Sequence, residues 1–319
     1  MIMMNRRLVL NGPRKLEWIS EGDYVLSEDE IRVETHACGI SIGAELPQYL
    51  GTDPTDMEPV YPRKVGYESA GRVIEIGRSV TDFKVGDRVI TFYGQQTFGV
   101  TPSKKAVRIP ADVEWKYALL NTLSCDAAKG VLKLNLSKED RVLVTGAGTM
   151  GVLAVHFLKQ HVGVRHVDVV EPDEARHSLP MRLGADRIYR SEAEIEDSYD
   201  AGLECSAHNA AFRTLTNAMK PEGTICVLSD GNRDKFTLPS SFFEKELKIV
   251  ASSDGYDYRK HSEWFFSTFE ETPYLTDLFE REIIRDQVIA CFEEMESVRP
   301  LKVFVDYKKD RGVNDERSD

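Results

Sequence analysis

Gly146-Ala147-Gly148-Thr149-Met150-Gly151 is the stretch whose spacing most directly suggests chemistry. Glycines so placed form a turn that a pyrophosphate can approach. Gly146 permits the bend, Gly148 leaves the backbone open to the phosphates, and Gly151 lets the next helix pack close on the preceding strand. A helix start adds unpaired N–H groups and partial positive charge, so Thr149 and Met150 are expected to line the same anion. Glu171 follows Gly151 by twenty residues. A carboxylate there accepts hydrogen bonds from the hydroxyls of an adenosine ribose and repels a 2′-phosphate. The pattern predicts a dinucleotide site that prefers NAD and leaves NADP possible.

The elements around this turn must be a strand before it and a helix after it. Val142-Leu143-Val144-Thr145 is a short β-branched run that reads as a buried strand, and Val152 to Leu158 is apolar without a break. Strand and helix patterns then alternate. Val167 to Val170, Asp200 to Cys205, Gly223 to Leu228 and Leu247 to Ala251 read as strands; Arg176 to Ala185 and Asn209 to Met219 read as helices. Such alternation predicts a doubly wound parallel sheet, an α/β fold. Ligands bind outside the carboxyl ends of such strands, which places Cys205 and Ser229 beside the nicotinamide half of a dinucleotide. Residues 7–110 differ, with short alternating strands separated by Gly, Pro and Asp, as in a β-rich barrel or sandwich. Glu114 to Leu134 turns helical. Val288 to Glu296 reads as a helix, Leu301 to Val305 as a closing strand, and Lys308 to Asp319 as a frayed tail. The predicted division is 1–122 with 256–319 as the β-rich domain, and 123–255 as the nucleotide domain.

The 319 residues carry a formal charge of −12, which argues against nucleic-acid or anionic-membrane partners. No window approaches the ~20 apolar residues of a membrane span. The five cysteines are scattered and never spaced C-x-x-C, so neither a disulfide framework nor a zinc knuckle is implied. The expected compartment is a reducing cytoplasm, and the expected partner a small-molecule substrate.

Cys38-Gly39-Ile40-Ser41, Gly66-Tyr67-Glu68-Ser69-Ala70-Gly71-Arg72-Val73, Val85-Gly86-Asp87-Arg88-Val89 and the glycine turn occur in the order of the medium-chain dehydrogenase/reductase superfamily, which the chain resembles over nearly its whole length. The resemblance implies a GroES-like substrate domain built from both chain ends, and hydride transfer with NAD or NADP. It also implies a basic residue over the adenosine ribose, which Arg176 would supply, and pairing of edge strands near Leu247 to Ala251 into a homodimer.

Zinc alcohol dehydrogenases of this superfamily hold the metal with a Cys in G-I-C, a His in G-H-E, and a Cys or Glu before the glycine turn. Here the corresponding residues are Ser41, Tyr67 and, by an ungapped count, Asn121. These are not zinc donors, so no metal is expected. Cys38 reads as a buried core thiol rather than a substitute ligand. The Gly39 to Glu45 motif, G-I-S-x-G-x-E, looks closest to the zinc-free branch that includes bacteriochlorophyllide a dehydrogenase. A zinc-independent, NAD(P)-dependent interconversion of a secondary alcohol and a ketone follows as the leading expectation. Reduction of an activated C=C bond and a non-catalytic dinucleotide sensor are the alternatives. Without zinc a side chain must handle the substrate oxygen. Tyr67 is the first candidate for acid or oxyanion donor, the other reading being that it fills the vacated metal cavity. Glu68 either orients Tyr67, acts as a base, or pairs with an Arg. Ser41 and Asn121 offer hydrogen bonds to substrate, and the role of Glu45 is open.

Overall fold

The computed structural model describes residues 4–22, 24–195, 199–229 and 234–309. The chain divides into two compact units, Met1–Leu119 with Leu278–Asp319, and Leu120–Asp277.

In the second unit, six parallel strands run in the order Arg187–Tyr189, His166–Val170, Arg141–Thr145, Tyr199–Glu204, Met219–Val227 and Lys248–Ala251. Numbered along the chain this is 3-2-1-4-5-6, the order whose reversal beside the first strand opens a ligand crevice. Val142, Leu143 and Val144 are fully buried, as a strand covered on both faces requires. The helix Thr149–Phe157 follows the glycine turn and runs on into a π-helical turn, Leu158–Val162.

The first unit is mostly antiparallel. Its larger sheet orders Phe279–Ile284, Lys302–Asp306, Glu30–Ser41, Glu68–Ile76, Arg88–Thr91 and Val107–Arg108, and Phe98–Pro102 also pairs with Glu30–Ser41. A smaller sheet joins Leu16–Glu21, Asn5–Leu10 and Arg63–Lys64. The long strand Glu30–Ser41 is central, and its residues Ile31, Val33, Ala37 and Ile40 are all fully buried.

Three boundaries differ from the sequence expectation. The return to the first unit falls at 278 rather than 256, because the helix Tyr258–Ser267 packs on the helix Asn121–Leu132, where His261 Nε2 meets Ser124 Oγ at 2.9 Å. The helical stretch Glu114 to Leu134 is two helices, Trp115–Leu119 and Asn121–Leu132. Arg176 to Ala185 is a 3-10 turn, Glu174–Arg176, and a short helix, Ser178–Arg182. Of the proposed tail, residues 310–319 lie outside the described residues.

Candidate active site

Strand register assembles the first cluster. Lys302 lies opposite Ser41 across one strand pair, and Glu68 lies opposite Gly39 across another. Residues opposed in an antiparallel pair share a face, and so do residues two apart on one strand. Ser41, Lys302 and Glu68 therefore meet on one side of the sheet. Lys302 Nζ donates to Ser41 Oγ at 2.7 Å and to Glu68 Oε2 at 2.5 Å. Ser41 Oγ faces the same Glu68 oxygen at 3.4 Å. Lys302 and Glu68 expose no surface, and Ser41 only 5%. Gly39 makes room for this, since a Cβ there would lie 2.4 Å from Glu68 Oε2.

Ser41 stands where the helix Ile42–Leu50 begins, yet its hydroxyl does not cap that helix. The carboxylate of Glu45 instead reaches back, and its Oε1 accepts the Ser41 backbone N–H at 2.9 Å. Glu45 Oε2 and Glu68 Oε1 are buried without a hydrogen-bond partner. Burial pushes the Glu45 carboxyl up to about 8. Tyr67 occupies the bend just before the Glu68 strand and is half-buried. Cys38 is a buried thiol, its Sγ directed at the Gly94 carbonyl at 3.8 Å. A cavity of about 580 Å³ in this unit is lined by Arg7, Glu21, Arg32 and Gln96 among others and shares no residue with the cluster.

The glycine turn lies in the second unit. Gly146 takes φ +91°, open to glycine, and a Cβ on Gly151 would sit 1.9 Å from the Gly146 carbonyl oxygen. A Cβ on Gly148 would meet nothing within 4 Å, which leaves the space a pyrophosphate needs. The helix begins at Thr149 with Gly148 as N-cap and no side-chain cap, so its first N–H groups suit an anion. These residues fit a dinucleotide.

Glu171 is more constrained than the sequence implies. Its two oxygens accept the N–H groups of Ala147 at 2.8 Å and Asp173 at 2.9 Å, so it braces the glycine turn while keeping lone pairs for a ribose. Arg176 sits on the turn after it, 3.5 Å from Asp173. Ser229 is tied to the fully buried Glu204, which also accepts Ser206 N–H at 2.8 Å and Ser206 Oγ–H at 2.5 Å. Cys205 is half-buried in that same turn, its thiol pushed well up by burial. Asn121, fully buried, donates Nδ2 to the Tyr258 carbonyl at 3.2 Å and keeps Oδ1 without a protein partner. Cys125 is packed in the core at the loop before Tyr258, its thiol pushed up to about 11 by burial.

The structure brings Ser41 and Glu68 together and carries Tyr67 beside them in the chain; Asn121 belongs to the other unit. The partner of Glu68 is a lysine, not the arginine weighed above. Lys302, Glu45 and Glu204 are the residues sequence reasoning undervalued. Lys302 left one signal, a lysine opening an otherwise apolar closing strand.

The donors at the family's metal positions do not fit zinc, which takes thiolate, imidazole or carboxylate. Ser41 and Tyr67 offer hydroxyls, and the Glu68 oxygen nearest Ser41 is already held by an ammonium. Among the described residues no three His, Cys, Asp or Glu side chains are grouped to hold a metal.

The alcohol dehydrogenase GroES-like domain family matches residues 27–108. The chain is 30% identical to the L-threonine 3-dehydrogenase of Vibrio parahaemolyticus over 257 residues, 68% of this chain and 74% of that protein. Its fold superposes on a structure described as a zinc-binding dehydrogenase of Sinorhizobium meliloti bound to NADP, with TM-score 0.84 at 18% identity, over 96% of this chain and 100% of that one. It likewise superposes on 2R,3R-butanediol dehydrogenase of Bacillus subtilis with TM-score 0.78 at 19% identity, over 95% and 99%.

Proposed function

The chain belongs to the medium-chain dehydrogenase/reductase superfamily, and from that premise we propose a zinc-independent, NAD(P)-dependent enzyme that interconverts a secondary alcohol and a ketone. The observation that carries the zinc-free half is the Ser41–Lys302–Glu68 cluster, where a fixed ammonium holds the hydroxyl that replaces the family's first metal ligand.

A bound nicotinamide dinucleotide supplies the hydride acceptor or donor. Gly146, Gly148, Thr149, Met150 and Gly151 would hold its pyrophosphate, Glu171 and Arg176 its adenosine ribose, and Cys205 and the Ser229–Glu204 turn would flank its other half. Glu171 favours NAD by repelling a 2′-phosphate.

The substrate oxygen needs a proton partner. Ser41 accepts from Lys302 and directs its own O–H only weakly at Glu68, so the hydroxyl is polarised and free to turn. Tyr67 is the second hydroxyl, and a phenol serves as acid or oxyanion donor. Glu68 holds Lys302 and Ser41 in place instead of acting as a free base. Asn121 Oδ1 is an acceptor awaiting a donor on cofactor or substrate. We also place the protein in the cytoplasm, where its five free thiols stay reduced, and expect a homodimer paired along Lys248–Ala251.

Purified protein should oxidise a secondary alcohol, tested first with L-threonine and 2,3-butanediol, in the presence of a chelator and with no stoichiometric zinc by elemental analysis. Stoichiometric zinc overturns the metal-free reading. Turnover of quinones or enones alone would point to C=C reduction, and tight NADH binding without turnover to a sensor. Tyr67→Phe should lower kcat by about 10²-fold or more if the phenol moves the proton; an unchanged kcat removes it from that role.

A further inference from the structure

We propose that Glu45 is a proton-holding positioning residue, exchanging the proton of the alcohol–ketone reaction with solvent through a small cavity bounded by Gln48, Lys64 and Gly66. This rests on the oxidoreductase reading above and deepens it.

Two carboxyls and one ammonium share the core at the end of strand Glu30–Ser41. If both carboxyls are ionised the cluster carries a net negative charge in a buried site, which is costly. One added proton makes it neutral. Glu68 is the carboxyl held by the ammonium, so Glu45 is where the proton belongs. Each carboxyl keeps one buried oxygen without a partner, Glu45 Oε2 and Glu68 Oε1. A buried acceptor left open in this way is what a mobile proton or a transient water would satisfy.

Glu45 also lines a cavity of about 10 Å³, near the lower limit for one water molecule. Lys64, exposed, and Gln48, half-buried, lie at its rim, and Gly66 joins it to the bend that carries Tyr67. Of the cluster's neighbours, Glu45 is the one that borders this cavity.

The charged and titratable groups facing Glu45 come from several elements. Glu68 raises it, Lys302 and the Ser41 N–H lower it, and desolvation dominates, leaving it at about 8. The charges of both carboxyls help push the Cys38 thiol up, and Tyr49 and Lys64 line the cavity. Glu45 thus titrates where an alcohol oxidation has to discard a proton.

In oxidation the alcohol carbon loses hydride to the oxidised dinucleotide and the hydroxyl loses a proton. The C–H and O–H bonds break as the C=O bond forms. On this proposal the substrate proton is taken up at Ser41 Oγ and a proton leaves Glu45 for the cavity, Glu45 being tied to Ser41 through the backbone N–H that its Oε1 accepts. One alcohol and one oxidised dinucleotide give one ketone, one reduced dinucleotide and one proton. Ketone reduction runs the same route inward.

The test is the pH profile of wild type against Glu45→Gln, whose amide oxygen still accepts the Ser41 N–H. In wild type, alcohol oxidation should rise with pH to a plateau above about 8, and ketone reduction should fall there. Glu45→Gln should lose that ionisation and about a hundredfold in kcat, with NADH affinity unchanged. An unaltered pH profile overturns the Glu45 proposal and leaves the oxidoreductase standing; wild type inert to every alcohol and ketone overturns the oxidoreductase itself. Infrared titration of wild type supplies a readout that needs neither turnover nor a folded variant. A carboxylic C=O band that disappears near pH 8 supports the proposal, and the absence of any such band overturns it.

Discussion

Lys302 and Glu68 expose no surface, and neither would be tolerated alone between packed strands. Deleting one partner of a buried pair strands the other and costs about 3–5 kcal/mol, whereas replacing both with neutral groups of similar size is far milder. Lys302→Met should therefore lose about that much stability, and Lys302→Met with Glu68→Gln should regain most of it, by urea unfolding. If the double variant is as unstable as the sum of the singles, the pair is not coupled. The same logic makes Ser41 a better reporter of function than of stability, because its hydroxyl faces the ammonium and not the helix it precedes.

At the scale of elements, the glycine turn separates binding from folding. Gly148 has φ −73° and open space where a Cβ would go, so Gly148→Ala should fold with unchanged stability and bind NADH more weakly. Gly151 has no such room, because the helix start abuts the Gly146 carbonyl; Gly151→Ala should destabilise the protein by about 1–3 kcal/mol. Calorimetric titration with NADH, paired with a thermal melt, separates the two, and equal effects would contradict the division of roles. The edge strand Lys248–Ala251 is partly blunted, since Lys133 Nζ takes the Ala251 carbonyl and Lys129 Nζ takes that of Ser253 at 2.8 Å. A pairing of two copies along this edge must work around those lysines. Sedimentation at micromolar concentration should show a dimer, and a monomer there would reject the edge pairing.

Over the whole molecule, stability should peak near neutral or slightly acid pH, because buried groups of opposite kind pull against each other. His156 and His261 are held neutral by burial, pushed from 6.5 to about 3. Below about 6.5 the unfolded chain binds protons that the folded chain refuses, so their contribution is lost as pH falls, by about 1.4 kcal/mol per pH unit and group. Glu45 has the reverse sign. The folded chain keeps its proton up to about 8 while the unfolded chain gives it up above about 4.5, so stability declines as pH rises across that window. Two histidines outweigh one carboxyl between about 4.5 and 6.5, and Glu45 alone governs the span above. Urea midpoints measured against pH should show this maximum, and Glu45→Gln should abolish the decline on its alkaline side.

The parallel sheet of the second unit was legible from residue order alone. Its strands are continuous apolar runs, its glycines have fixed spacing, and Glu171 and the strand ends Cys205 and Ser229 follow from the direction of a parallel sheet. Local periodicity and turn chemistry determine such features, so Val142 to Leu158 and the later strands fell where expected. The boundary at 278 did not, because the helix Tyr258–Ser267 owes its place to His261 meeting Ser124, far away in the chain. The polar cluster is the clearest division between the two kinds of knowledge. Ser41, Tyr67 and Glu68 could be singled out by motif, but Lys302 lies 261 residues from Ser41 and reaches it only through antiparallel register. What sequence by itself determined was the strand, glycine turn and helix of the second unit, and that hydroxyls and an amide stand at Ser41, Tyr67 and Asn121. That an ammonium stands between Ser41 and Glu68 was decided by strand pairing, because register is a property of contacts and not of spacing along the chain.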